Sequence, residues 1–206
     1  LITARPFRSP HHTTSSTAII GGGSIPRPGE VTLSHNGVLF LDELPEFSKG
    51  VLEVLRQPLE DGQVTVARVN ATFTFPSRMI LVCAMNPCPC GWNGDKEKTC
   101  TCSPNEIKRY TRKISGPLLD RIDIHIRVPR VEYKELRTSQ PAEPSAVIRQ
   151  RVTAARNRQI QRLRSFHAVC NAQMSHAVLK KTCLLNLEAQ KILEQAFNKM
   201  NMSARS

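Results

Sequence analysis

The sequence has no long apolar run and few aromatic residues. No stretch of its 206 residues reaches the ~18 consecutive apolar side chains that a membrane span needs. We also recognise no secretory signal in it, so we expect a cytoplasmic protein whose seven cysteines are reduced. Aromatic residues make up only 5% of the chain, which argues against stacking on single-stranded bases as the main mode of binding.

Acidic residues are scarce relative to basic ones. The chain carries 29 lysine and arginine residues against 17 aspartate and glutamate residues, a net charge of +12. This excess predicts a polyanionic partner, with nucleic acid first and nucleotide phosphate second. The length predicts one domain or one and a half, and 40% hydrophobic residues are enough for a core.

The other motifs can be arranged around residues 37–44 (GVLFLDEL). Four consecutive apolar residues after a glycine predict a strand of a parallel sheet that is buried on both faces. Asp42 and Glu43 would then stand at its carboxyl end, where open α/β sheets bind ligands. This position suits Asp42 for a hydrated Mg²⁺ on a nucleotide phosphate and Glu43 for the water that attacks the γ-phosphate. The alternative is a core strand followed by a solvated acidic loop.

Residues 5–29 are rich in proline, glycine, serine and threonine, which predicts a long functional loop. His11 and His12 in this loop are interpreted as polar loop residues rather than metal ligands, because no cysteine or acid accompanies them locally. A short helix is expected over residues 30–35, before the central strand.

Downstream of the acids, Ser48 predicts the N-cap of a helix that Pro58 and the following Asp-Gly pair would end. Alternating apolar residues over 63–75 then predict a β-hairpin with Arg68 near its tip. Arg68 would contact a phosphate of a ligand or would remain a solvated arginine.

A second apolar run, residues 79–85 (MILVCAM), predicts another central parallel strand that ends at Asn86. The Asn86 amide can hold a water or a phosphate oxygen without adding charge. Asparagine before proline is also a common turn residue, so both interpretations remain open.

Four cysteines follow on one loop, as the pairs Cys88 and Cys90 and Cys100 and Cys102. Four thiolates are the number that a tetrahedral structural Zn²⁺ needs, which makes zinc a possible cofactor. Free reduced thiols or a partial site are the alternatives.

The remaining chain predicts a helix from residue 103, an edge strand over 122–128, a proline-containing linker over 138–144 and two further helices over 145–164 and 184–200. No acid occurs between Pro144 and Leu187. Arg149 and Arg156 therefore lie on a helix without compensating acids, which favours an anion-facing surface, and DNA in particular, over a merely solvated face.

Four motifs, in this order, resemble those of the magnesium-chelatase-like AAA+ ATPases of the ComM/YifB family: residues 7–13 (FRSPHHT), 38–44 (VLFLDEL), 84–91 (AMNPCPCG) and 114–123 (ISGPLLDRID). The resemblance covers essentially the whole chain. It implies an α/β fold: a truncated AAA+ P-loop ATPase core with a parallel sheet over residues 1–137, a linker over 138–144 and a partial all-helical lid over 145–206.

The same resemblance implies roles for individual residues. Asp42 and Glu43 would be the Walker B acids and Asn86 the sensor-1 residue. Arg121 would be the arginine finger that reaches a neighbouring subunit's nucleotide, in a ring that is expected to be a hexamer. Arg205 would be the sensor-2 arginine of the lid, and Arg68 would face DNA in the central channel.

The sequence departs from the family pattern at one motif, because G-x-x-x-x-G-K-S/T does not occur in it. The family carries this phosphate-binding loop upstream, so we predict that the chain is a piece of a longer ATPase and does not bind ATP usefully alone. Three functions follow: a ring motor on branched or single-stranded DNA, a motor that drives magnesium insertion into a porphyrin with partner subunits, and a DNA-binding module that does not hydrolyse ATP.

Overall fold

The computed structural model describes residues 4–67, 72–95, 97–129, 142–166 and 168–200. The chain divides into two compact units, Leu1–Arg130 and Val131–Arg205. The first unit combines a parallel sheet with short helices and is an α/β structure, as expected. The described part of the second unit is helical.

The strands of the first unit are β1 (Phe7–Arg8), β2 (Gly21–Gly22), β3 (Arg27–Pro28), β4 (Val38–Leu41), β5 (Gln63–Ala67), β6 (Thr72–Pro76) and β7 (Ile80–Cys83). Three of them form the parallel sheet in the order β1-β4-β7, so β4 is its central strand. The strand predicted before the two acids is confirmed. The pairs β2-β3 and β5-β6 form two small antiparallel sheets.

The central strand is buried more completely on one face than on the other. Leu39 and Leu41 are fully buried, whereas Val38 and Phe40 are half-buried. Each fully buried leucine contributes roughly 1.5–3 kcal/mol of hydrophobic stabilisation. The buried core around this face is apolar and consists of Ile19, Val31, Leu39, Leu41, Leu44, Phe47, Val51, Leu52, Leu55, Val64, Val66, Ile114 and Leu118.

The helices of the first unit are α1 (Ser16–Ile20), α2 (Glu30–Leu33), α3 (Lys49–Val54), α4 (Arg56–Asp61), α5 (Pro104–Thr111) and α6 (Gly116–Leu119). Ser48 caps α3 as predicted, because its Oγ accepts a hydrogen bond from the Val51 N–H at 3.3 Å. The single helix expected after Ser48 is wrong, since the chain forms two helices that meet at Leu55. Pro58 has no N–H for a continuous helix, and it lies instead in the first turn of α4.

The predicted hairpin is confirmed as β5 and β6, with Val64 opposite Phe75 and Val66 opposite Phe73. Val64 and Val66 are buried in the core, so this face of the hairpin packs against the core of the first unit. Arg68, expected near the tip, lies outside the described residues.

Two strand predictions need correction. β7 pairs with β4 as expected, but within the described residues it is the edge of the sheet rather than a central strand, and Ile80 and Val82 are exposed. The edge strand expected over 122–128 is wrong, because these residues are extended without a partner strand in the described structure. Alternation of side chains describes one strand, but a ladder also needs a second strand within hydrogen-bonding distance.

The second unit contains α7 (Ser145–Leu163), α8 (His176–Thr182) and α9 (Leu187–Met200), with two short 3₁₀ turns between α7 and α8. The two helices predicted in this part of the chain are therefore confirmed. Residues 138–141 of the predicted linker lie outside the described ranges. Within those ranges, no helix combines the length and apolarity that crossing a membrane requires.

Candidate nucleotide site and cysteine cluster

Asp42 and Glu43 are exposed at the carboxyl end of β4. Glu43 has a left-handed backbone, with φ 51° and ψ 46°, and its N–H donates to Asp42 Oδ1 at 2.9 Å. This conformation is unfavourable by roughly 1–2 kcal/mol for a residue with a Cβ. The buried residues that follow hold it in place: Leu44 donates its N–H to the Ala84 carbonyl at 3.0 Å, and Pro45 is packed in the core. Strain held by surrounding packing is typical of functional sites.

His12 contacts the second of these acids. Its Nδ1 lies 3.3 Å from Glu43 Oε2, and its ring packs edge-on against Phe47 with centroids 6.4 Å apart. The parallel pairing of β1 with β4 explains the contact, because Arg8 lies opposite Leu39. The same register continued by four residues brings His12 level with Glu43.

Sequence reasoning missed His12 as a site residue. The interpretation of both histidines as polar loop residues overlooked that a short strand at residues 7–8 pairs with the central strand. A prediction of that pairing would have found the contact. His11 does not contact Glu43 in the described structure; it stacks on the His12 ring and its Nδ1 lies 2.9 Å from Thr13 Oγ1.

Asn86 lies just after β7, the strand that pairs with β4. Leu41 is opposite Cys83 in the β4-β7 register, so Asp42 and Asn86 follow the carboxyl ends of adjacent parallel strands. The side chain of Asn86 is exposed, and its main chain hydrogen bonds to the buried Tyr110 of α5. Desolvation is the main cause that raises the pKa of Tyr110.

Arg121 is held by other residues of the first unit rather than by Asp42 or Glu43. Its guanidinium forms an ion pair with Glu60 of α4 and donates to the Pro117 carbonyl at 2.5 Å. The side chain is only 14% exposed, and its Nε is buried without a hydrogen-bond partner. The described structure therefore does not bring Arg121 together with Asp42 or Glu43.

The remaining basic candidates lie elsewhere. Arg149 and Arg156 are exposed on α7, where a spacing of seven residues places them on nearly the same face. Arg151 on this helix is paired with Glu143 at 2.7 Å, so one acid before the helix does compensate an arginine. Arg205 lies outside the described residues.

The four loop cysteines form a compact cluster, and their Sγ atoms all lie within 4.8 Å of one another. The N–H of Cys90 donates to Cys102 Sγ at 3.4 Å, and the N–H of Asn93 donates to Cys88 Sγ at 3.3 Å. A hydrogen bond from the Trp92 main chain lowers the pKa of Cys90 to about 5. The main chain of Cys90 acts in the same direction on Cys102, but desolvation and the neighbouring sulfurs outweigh it and raise the pKa of Cys102 to about 12.

The acidic end of the sheet suits a hydrated divalent cation. Asp42 presents a carboxylate to solvent, and carboxylate oxygens are the ligands that Mg²⁺ takes from proteins while it keeps several waters. Glu43 presents a second carboxylate, which His12 contacts from one side. The arrangement can therefore hold a metal–phosphate complex at one carboxylate and polarise a water at the other.

Comparison with protein families matches residues 1–136 to the family described as magnesium chelatase, subunit ChlI. Residues 142–206 match the family described as magnesium chelatase, subunit ChlI C-terminal. Together the two families account for nearly the whole chain.

Curated relatives are similar over nearly the whole chain. The chain is 45% identical to competence protein ComM of Haemophilus influenzae and 44% identical to the uncharacterized protein YifB of Escherichia coli, each over 98% of its length. It spans only 39% of the length of either relative.

A crystal structure of NtrX from Brucella abortus in complex with ADP matches 60% of this chain and 24% of its own chain, at 17% identity. Its TM-score of 0.39 is too low to support an argument.

Proposed function

Because this chain belongs to the magnesium chelatase subunit ChlI family, as a magnesium-chelatase-like protein of the ComM/YifB type, we propose that it carries the hydrolytic acids of an ATPase. The observation that supports this most is the Asp42-Glu43 pair at the end of the central parallel strand, with Asn86 on the adjacent strand connection. The curated relatives of this type are longer than this chain. The whole protein would bind and hydrolyse ATP.

Each site residue has a distinct part in the proposed reaction. Asp42 would hold Mg²⁺, which neutralises phosphate charge when bound with the nucleotide. Glu43 would orient the attacking water and accept its proton, while the Asn86 amide would hold a water or a phosphate oxygen. Arg121 would act on the nucleotide of a neighbouring copy in a ring, which we propose is a hexamer, and Arg205 would act from the helical lid. Arg121 must leave Glu60 to do so.

The test of the ATPase assignment is Glu43→Gln in the intact protein. The amide cannot accept the proton, so turnover should fall about a hundredfold or more while Mg-ATP binding is kept. Glu46→Gln is the matched control, because Glu46 is also an exposed glutamate of the same segment but pairs with Lys113. Equal turnover in the two variants would reject the assignment. ATP hydrolysis by the 206-residue chain alone would contradict our prediction that it is inactive without a phosphate-binding loop.

We further propose that the substrate of this motor is DNA, branched or single-stranded, in the cytoplasm. The excess of basic residues and the exposed arginines of α7 support this, as does the name of the competence protein relative. Arg68, which follows β5 in the sequence, would add a phosphate contact. ATP turnover with and without DNA at two salt concentrations tests the proposal, because phosphate contacts weaken as salt rises.

The second candidate is a motor that drives magnesium insertion into a porphyrin with partner subunits, which the description of the matching family favours. A turnover that does not respond to DNA or to salt, and that responds to porphyrin-pathway partner subunits, would support it. A module that binds DNA without hydrolysis, the third possibility, requires no turnover under any of these conditions.

A further inference from the structure

Among the described residues, one group of side chains has the composition and spacing of a metal site that the proposed ATPase chemistry does not use. We propose that Cys88, Cys90, Cys100 and Cys102 bind one structural Zn²⁺, which fixes the loop that joins the Asn86 turn to α5.

The distances between sulfurs fit a tetrahedral metal. Cys88 Sγ lies 3.4 Å from Cys90 Sγ and 3.7 Å from Cys100 Sγ, and the Cys90 and Cys100 sulfurs are 3.5 Å apart. With a Zn–S distance of about 2.3 Å, the edges of a regular tetrahedron are about 3.8 Å long. A disulfide needs about 2.05 Å, and all four cysteines are free. The spacing of these sulfurs is therefore close to the spacing that a zinc ion with four thiolate ligands requires.

The main chain supplies the donors that a thiolate centre needs. Four thiolates around Zn²⁺ carry a net charge of −2, which N–H groups directed at sulfur stabilise. The N–H groups of Cys90 and Asn93 donate to Cys102 and Cys88 respectively. Soft sulfur donors in a tetrahedral set select zinc or iron, and four protein ligands leave no open position for catalysis. The four cysteines therefore form a closed structural site, for which we propose zinc, and the metal content of the purified protein distinguishes zinc from iron.

The position of the cluster indicates which two segments a zinc ion would hold together, the Asn86 turn and the start of α5. Cys88 lies two residues after Asn86, and Cys102 directly precedes Ser103, the N-cap of α5. From Asn86 to Ser103, Cys88 is the only fully buried residue that the structure describes, so the loop has little apolar packing of its own. A metal bound by both ends of the loop would replace that missing core and would keep the Asn86 turn next to Tyr110.

The first experiment measures metal content in the full chain, purified without chelator from zinc-supplemented medium. Mass spectrometry of metals should find one zinc per chain, and Cys88→Ser and Cys102→Ser should each lose most of it. Cys183→Ser is the matched control, because Cys183 is exposed and lies outside the cluster. A zinc content that is unchanged in both cluster variants, or iron in place of zinc, would overturn the proposal.

A second measurement keeps the test valid if the cluster variants fail to fold. A mercurial reagent added stepwise to the wild-type chain should release one zinc per chain, detected by a chromogenic chelator, as the four cluster thiols react. Replacement of zinc by Co²⁺ should produce the visible absorption bands of tetrahedral cobalt with thiolate ligands. Wild-type chain that contains no zinc and takes up no cobalt would also overturn the proposal.

Discussion

His12 Nδ1 lies 3.3 Å from Glu43 Oε2, although the two residues are far apart in the sequence. The contact joins the loop after β1 to the acid that we propose as the general base. The Glu43 side chain is 58% exposed, so its orientation depends on the few groups that touch it. The histidine is therefore a positioning residue for the proposed reaction.

His12→Ala in the intact protein should lower turnover about tenfold or more, the usual loss when a group that orients a reactive side chain is removed. The Michaelis constant for ATP should change little, because His12 contacts the acid rather than the nucleotide in this proposal. His11→Ala serves as the control, since His11 interacts with Thr13 and stacks on His12. An equal loss in both variants would mean that the loop, and not the contact, is responsible.

Arg121→Ala should reduce ATP turnover by about 10³ or more without weakening the subunit's own nucleotide binding, as removal of an arginine finger does. Mixing this variant with Glu43→Gln subunits tests whether Arg121 acts across an interface. Each variant alone should be nearly inactive, whereas mixed rings contain sites with an intact Glu43 next to a neighbour's intact Arg121. No recovery of turnover in the mixture would argue against action between subunits.

Glu60→Gln tests the role of Arg121 by changing its ion-pair partner. The substitution removes the charge that holds the Arg121 guanidinium within its own chain. We expect turnover to be kept or raised, because the Arg121 guanidinium no longer has to break an ion pair before it reaches a neighbouring nucleotide. A loss as large as that of Arg121→Ala would instead show that the ion pair itself is required for the active structure.

The combined substitution Arg149→Ala and Arg156→Ala should weaken DNA binding at low salt and reduce the slope of log affinity against log salt by about 2. Binding titrations at several salt concentrations measure both quantities. Arg151→Ala is the matched control on the same helix, because Arg151 is already paired with Glu143. If the single control reduces the slope by about 1, half the change expected for the double substitution, the face carrying Arg149 and Arg156 has no special role.

Gly37→Ala should lower the free energy of unfolding by about 1–3 kcal/mol, the usual range for overpacking. An added Cβ would lie 1.9 Å from the Pro6 carbonyl oxygen, which accepts the Val38 N–H at 2.8 Å in the contact between β1 and β4. Gly50→Ala is the control, since its Cβ would meet two side-chain oxygens at ordinary contact distances, Ser16 Oγ at 3.4 Å and Ser48 Oγ at 3.9 Å. Denaturant unfolding of the full chain should show no destabilisation in the control.

If the cysteine cluster binds zinc as we propose, removal of the metal by a chelator should increase hydrogen exchange in the part of the chain from Asn86 to Tyr110 and leave the central strand protected. The reason is that β4 is held by the core around Leu39 and Leu41, whereas Cys88 is the one fully buried residue among those that the structure describes in the cysteine loop. Exchange detected by mass spectrometry on the full chain, before and after chelation, measures this. Uniform exchange changes across the first unit would contradict a local role for the metal.

Local signals in the sequence were sufficient for much of the fold. The apolar run before Asp42 predicted the central strand, and serine caps predicted the starts of helices: Ser48 caps α3, and Ser103 forms a capping box with Glu106. These features depend on residues within one or two turns of each other, so the sequence alone contains them. The spacing of the four cysteines likewise predicted a cluster that the structure shows.

Contacts between distant segments required the tertiary structure. Alternation over residues 122–128 predicted a strand, but strand formation depends on a partner that the described structure does not provide. The exposed edge position of β7 and the pairing of Arg121 with Glu60 are also absent from any local pattern. His12 was missed for the same reason. By itself the sequence determined the acids and the strand that carries them, whereas the register of β1 against β4 decided which side chain reaches Glu43, because strand pairing joins residues that no local interaction connects.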